Sequence, residues 1–140
     1  MKSRLNPGEI RVGEELLPLK KNMTQEKINT YVSAAEDYNP IHVDPEFAKT
    51  TPFKSTIAPG YQVLAYLSEI MTRDFGEKWI QGGVMDVRLL RPVFPGDELD
   101  IGGRVSEKGT EGNEHLIGCE VWVKNQKNEN VVAGYASVTC

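Results

Sequence analysis

Residues 57–75 read IAPGYQVLAYLSEIMTRDF, and they differ in kind from the rest of the chain. As far as Met71 the only clearly polar side chains are Gln62, Ser68 and Glu69. Val63, Leu64, Ala65, Leu67, Ile70 and Met71 point almost all round a helix. A helix that is apolar on nearly every face is a buried one. Pro59 suits its first turn, where a missing N–H costs nothing. Gly76 suits its C-terminal end. Tyr61 and Tyr66 read as core along with the Leu and Met positions.

Downstream of this helix the chain reads as strands. Residues 84–93 alternate, with Met85, Val87 and Leu89 on one face and Asp86 and Arg88 on the other. Phe94-Pro95-Gly96-Asp97 has Pro and Gly where a type II turn wants them. Residues 98–107 form a strand whose Gly102-Gly103 pair marks a bulge or a close backbone approach. Residues 108–113 read as a turn. His115, Ile117, Cys119, Val121 and Val123 mark one face of the next strand. A polar turn over residues 125–130 leads to a last strand, 131–138. Serial strands with short turns predict antiparallel neighbours. The expected architecture is α+β in a single domain over residues 1–140, with the sheet curled around the helix.

Upstream, residues 13–22 read as a first strand, kept at an edge or a start by Pro18. Thr24 is a helix N-cap, with Met23 and Ile28 spaced as a hydrophobic staple. Ile28, Tyr31, Val32 and Ala35 then follow i, i+3, i+4, i+7, predicting an amphipathic helix over residues 24–36. Asp44-Pro45 starts a short helix, and residues 50–54 are loop.

One hundred and forty residues with 39% hydrophobic and 26% charged content describe an ordinary globular chain. A formal net charge of -4 argues against nucleic acid, which selects basic stripes. Cys119 and Cys140 are too few for a disulfide framework and read as free thiols in a reducing, cytoplasmic setting. Residues 1–15 have no apolar run suited to a signal peptide, and no window suits a membrane span. Two histidines without ligand spacing predict no metal site. There is no G-x-S-x-G motif, and neither cysteine has a nucleophile context.

Directly after the first helix comes Asp37-Tyr38-Asn39-Pro40-Ile41-His42. In a continuous helix Asp37 and His42 would lie about 140° apart. Pro40 forbids that helix and ends the one before it. Asp37 therefore sits near a helix C-terminus and His42 just past a turn that can fold the two together. A carboxylate beside an imidazole can hold and deprotonate a water. Singly, each residue has a plainer reading. Asp37 can be an exposed helix-end acid, although the helix dipole disfavours an acid there. His42 can be a surface histidine, Asn39-Pro40 simple turn chemistry, Gly60 a packing glycine, and Ser68 a hydroxyl bonded to its own helix. His115 reads as structural.

Jointly, D-Y-N-P-I-H (37–42), V-D-P (43–45), F-A (47–48), I-A-P-G (57–60) and R-P-V-F-P-G-D (91–97) resemble the MaoC-like hydratase/dehydratase family, which includes the (R)-specific enoyl-CoA hydratases. The likeness runs from about residue 13 to residue 140. It implies a hot dog fold, a homodimer, and hydration of a trans-2-enoyl thioester of coenzyme A or acyl carrier protein, or the reverse dehydration. No cofactor is implied. Carried over by position, Asp37 and His42 are the catalytic pair and the Gly60 N–H is the oxyanion donor. Asn39 and Ser68 are supporting residues. One position departs: Pro59 stands where the family usually has histidine before the glycine. Lys49, Lys54, Arg88 and Arg91 are candidates to meet coenzyme A phosphates, and equally suit a solvated rim. Two other functions fit the same fold. One is acyl-CoA thioester hydrolysis; the other is a non-catalytic acyl-thioester binder or partner subunit, which Pro59 keeps open.

Overall fold

Helix α3, Gly60–Phe75, is the element against which the sheet is laid. The structure is a computed structural model describing residues 2–140, so Met1 lies outside it. Pro59 is the N-cap of α3 rather than part of its first turn, and Gly76 closes it at φ 61°. Val63, Leu67, Ile70, Met71 and Phe75 are buried, and the helix packs on three strands. The expected all-round burial is not found. Tyr61 is 79% exposed and Ala65 is exposed, because the sheet covers only one side of the helix.

The strands are β1 (Leu19–Asn22), β2 (Val84–Leu89), β3 (Glu98–Glu111), β4 (Glu114–Lys124) and β5 (Asn130–Thr139). They form one antiparallel sheet in the order β1-β3-β4-β5-β2. Leu99, Ile101 and Val105 of β3, Ile117, Cys119, Val121 and Val123 of β4, and Val132, Ala136 and Val138 of β5 are all buried. This is the inward half of the alternation that a one-face-buried sheet requires.

Helix α1 spans Gln25–Ala35, with the Thr24 side chain accepting from Lys27 N–H. Met23 and Ile28 are both fully buried, as a staple requires. Ala35, expected on the apolar face, is exposed; only Ile28 and Val32 of this helix are buried. Asp44 caps α2, Pro45–Ala48.

Several local expectations need correction. The first strand is shorter than 13–22, since Pro18 has no N–H to offer a ladder; Glu15 makes only an isolated bridge to Arg104. Helix α4, Glu77–Gly82, was not foreseen; six residues between two glycines are too short for a period to show. β3 runs on to Glu111, leaving only Gly112 and Asn113 as the turn. The bulge falls after Val105, not at the glycine pair. The pair instead permits close approach: a Cβ on Gly102 would stand 2.7 Å from the Trp122 ring, and one on Gly103 2.7 Å from Leu16.

The link between β2 and β3 matters most for the site. Its Gly96 turn forms, with φ 96° and Asp97 N–H donating to Phe94 C=O. Yet β2 and β3 are not neighbours: β2 pairs with β5 and β3 with β1. The linker is tied across the end of the sheet instead. Leu90 N–H donates to Val131, Ala58 N–H to Val93, and Gly96 N–H to Met23.

Candidate active site

Helix α1 ends in a left-handed residue, Glu36 (φ 55°), whose N–H donates to Val32 C=O. Asp37 N–H donates to the same carbonyl. This closure is the usual way to satisfy last-turn carbonyls, here without a glycine. It turns the chain so that Asp37 leaves the helix axis. Asn39 then caps a single 3-10 turn, Pro40–His42, its Oδ1 accepting from Ile41 N–H at 3.1 Å. Asn39 N–H donates to Asp37 Oδ1 at 3.3 Å. The asparagine thus shapes the loop and orients the carboxylate at once.

The turn brings His42 Nε2 to 3.4 Å from Asp37 Oδ2. The His42 side chain is 11% exposed and the Asp37 side chain 39%. His42 Nδ1 lies 2.8 Å from the Ile57 carbonyl oxygen. A carbonyl can only accept, so Nδ1 carries the hydrogen and Nε2 of the neutral ring is an acceptor. Two acceptors then face one another at a spacing beyond a direct hydrogen bond. A donor with two hydrogens can satisfy both, and water is the simplest such donor.

His42 and Gly60 line a cleft of about 360 Å³. Its walls are apolar, with Phe53, Ile57, Val63, Leu89, Val93 and Val132 among them. Among the described residues Arg91 is the one formally charged residue that lines it, 3.5 Å from Glu129. Asp37, Asn39 and Ser68 do not line it; Asp37 reaches it only through His42. Ser68 Oγ accepts from Trp79 Nε1 at 2.8 Å, which ties α4 to α3. Lys49 is paired with Glu46, and Lys54 bonds the Lys49 carbonyl. The lining by Leu89 and Phe53 was not legible in sequence: alternation puts Leu89 on one strand face with Met85 and Val87 but does not say what covers it, and it is 58% exposed.

Gly60 is the first residue of α3, and Pro59 offers no side-chain cap. Among the described residues, the N–H groups of Gly60 and Tyr61 have no hydrogen-bond acceptor. Free amides at the start of a sixteen-residue helix favour negative charge. A Cβ at Gly60 would lie 2.8 Å from Leu89 Cδ1. That atom is the far end of an exposed side chain that can swing aside, so Gly60→Ala is expected to fold, with stability changed by less than about 1 kcal/mol. It pushes Leu89 about the cleft mouth and raises KM, and adding Leu89→Ala restores it. Urea midpoints and KM values for the single and double variants check this.

Cys119 is fully buried, and burial pushes its thiol up to about 12. Burial also raises Cys140. A thiol so raised is not a thiolate at neutral pH and is inert. Native protein at pH 8 is therefore expected to leave Cys119 unmodified by iodoacetamide, with labelling appearing only in denaturant, as peptide mass spectrometry would read. Among the described residues no three His, Cys, Asp or Glu side chains come together, and no helix is long and apolar enough to cross a membrane.

Residues 9–136 match the family described as MaoC like domain. A 3-hydroxyacyl-thioester dehydratase Z from Mycobacterium tuberculosis is 36% identical over 81 residues, covering 55% of this chain and 54% of that protein. The match thus spans about half of that relative's length. An (R)-specific enoyl-CoA hydratase from Aeromonas caviae is 30% identical over 95 residues, 68% of this chain and 70% of that protein. A solved (R)-hydratase structure from A. caviae superposes with TM-score 0.78 at 25% identity, covering 93% of this chain and 96% of the other. A monoamine oxidase regulatory protein from Archaeoglobus superposes with TM-score 0.81 at 30% identity, covering 99% and 95%. The sheet laid on α3 is the hot dog fold of that (R)-hydratase structure, and the chain belongs to the MaoC-like hydratase/dehydratase family.

Proposed function

We propose that this protein adds water to trans-2-enoyl thioesters to give (R)-3-hydroxyacyl thioesters, or runs the reverse dehydration. The observation that carries this is the Asp37–His42 pair, set 3.4 Å apart with Nδ1 of the imidazole held by Ile57. A water beside the pair donates one hydrogen to Nε2 and the other to Oδ2. Its oxygen attacks C3 of the enoyl group as the pair takes a proton. The electrons move through C2 to the thioester oxygen, and the N–H of Gly60 stabilises the charge that develops there. The pair then returns a proton to C2, so atoms and charge balance with water alone. Loss of one oxyanion donor typically costs about two to three orders of magnitude in rate. The apolar cleft beside His42 takes the acyl chain, and Arg91 at its rim suits an anionic carrier, coenzyme A or the phosphopantetheine of acyl carrier protein. Asn39 supports the loop; Ser68 acts at a distance, through the α3–α4 contact.

A homodimer belongs to the same reading. β2 is an edge strand, and Val84 (61%), Leu90 (52%) and Tyr61 (79%) stand exposed around it and the cleft mouth. A second copy would cover them; light scattering that gave a monomer mass would remove this part. The two free cysteines suit a reducing cytoplasm.

The test is loss of enoyl absorbance of crotonyl-CoA with purified protein, followed by chiral analysis of the product. (R)-3-hydroxybutyryl-CoA is expected. Free thiol would indicate thioester hydrolysis instead. Binding without turnover, for short and long acyl chains alike, would indicate a binding subunit.

A further inference from the structure

Two loops hold the His42 ring. One is its own 3-10 turn; the other is the extended segment ending at Ile57, whose carbonyl receives Nδ1–H. The direct main-chain tie between them is a bond from Ile57 N–H to Ile41 C=O, at 3.2 Å. A side chain far from the sequence motif bridges them again. Gln25, the first residue of α1, donates from Nε2 to the His42 carbonyl at 2.8 Å. Its Oε1 accepts from Thr56 Oγ1 at 2.7 Å, next to Ile57. Nε2 also donates to Asn29 Oδ1 at 2.9 Å. The His42 carbonyl can only accept, so the amide orientation is set by chemistry, with both Nε2 hydrogens used. Thr56 is buried, at 5% exposure, so an unpaired hydroxyl there would be costly.

We infer that Gln25 and Thr56 are positioning residues for His42, a carboxamide–hydroxyl clamp that fixes both ends of the imidazole's setting. One end is the His42 backbone. The other is the Ile57 carbonyl that selects the Nδ1–H tautomer and so keeps Nε2 an acceptor facing Asp37. The same helix carries Gln25 at its start and delivers Asp37 just past its end. Helix α1 is then a strut that sets both members of the pair relative to each other. The inference rests on the hydration reading for its kinetic consequence, but not for its structural one.

The experiment compares wild type with Gln25→Leu, Gln25→Glu, Thr56→Val and Thr56→Ser. Gln25→Leu and Thr56→Val are expected to lower kcat roughly 10- to 100-fold, the scale of a sub-ångström to one-ångström misplacement, with KM little changed. Their combination falls no further than the worse single variant, because one clamp is lost either way. Gln25→Glu keeps the acceptor for Thr56 but cannot donate to His42, and loses rate as well. Thr56→Ser keeps the hydroxyl and keeps wild-type rate. Long-range nitrogen–proton spectra of the imidazole supply a readout independent of turnover. Wild-type His42 shows Nδ1–H, and Gln25→Leu or Thr56→Val shifts it towards a mixture of tautomers. Should Gln25→Leu fail to fold, Gln25→Glu and Thr56→Val carry the same test. Lower stability with an unchanged tautomer and unchanged kcat would overturn the clamp. A tautomer shift in a protein that hydrates nothing would uphold the clamp and reject the hydration reading.

Discussion

His42→Ala and Asp37→Ala are each expected to lower kcat for hydration of crotonyl-CoA by roughly 10²- to 10⁴-fold, the usual contribution of a positioned acid or base. The two residues act on one water, so the double variant should be no slower than the worse single one. Asp37→Asn sharpens the test. It keeps the size and an oxygen for Asn39 N–H, but removes the charge and one acceptor. A loss as large as that of alanine assigns the effect to the carboxylate rather than to loop shape. His42→Ala also strands the Ile57 carbonyl, which otherwise receives Nδ1–H at 2.8 Å. An unmade hydrogen bond of this kind costs about 1–3 kcal/mol of stability. Circular dichroism and urea midpoints therefore accompany the rates, so that unfolding is not read as lost chemistry. Turnover by either alanine variant within about threefold of wild type would remove the pair from the mechanism.

The parts of this site that were legible in sequence are those written in local stereochemistry. Pro40 cannot continue a helix through residues 37–42 and suits the first position of a new turn, and that turn brings Asp37 and His42 together. Thr24, Asp44 and Gly76 act through backbone groups within a few residues of themselves, and all three close or open helices as expected. The β4 alternation is read directly because one face is buried. What was not legible depends on partners far along the chain. Nothing around residues 84–97 says that β2 crosses the sheet to pair with β5 rather than with β3. That crossing is what carries Leu89 over Gly60, so the cleft wall was hidden with it. Tyr61 looked like core because apolar periodicity does not say how many sides of a helix are covered. Gln25 stands in no local motif, because its partners lie 17 and 31 positions away. Pro59, at the N-cap, adds no side-chain cap and leaves the Gly60 N–H free. The geometry therefore gives no reason for the missing histidine to abolish an oxyanion site.

The largest stability effect is expected at the other end of α3. Asp74 is 0% exposed and lies in the last turn of the helix, where the dipole disfavours a carboxylate. Arg4 Nε donates to its Oδ1 at 2.6 Å and a second guanidinium nitrogen to Oδ2 at 3.0 Å. Leu17 N–H adds a third bond at 3.2 Å. The hydrogen bond to Asp74 raises the Arg4 pKa further above its ordinary value, so the cation is present at any working pH. The pair clips the N-terminal strap, with buried Leu5, Ile10 and Leu16, onto the helix end. Breaking a buried pair by removing one partner typically costs about 3–5 kcal/mol. The Arg4 side chain is 40% exposed, so water can enter after truncation, and Arg4→Ala is expected to cost about 2–4 kcal/mol. Asp74→Asn keeps an acceptor for Leu17 N–H and removes the buried charge. In that background Arg4→Ala should cost about 1 kcal/mol or less, since a neutral amide needs no counter-ion. Urea unfolding of the four proteins gives the coupling directly. If Arg4→Ala costs the same in both backgrounds, the strap is held by its apolar residues and by main-chain bonds such as Leu5 N–H to the Asp74 carbonyl, and the ion pair contributes nothing beyond them.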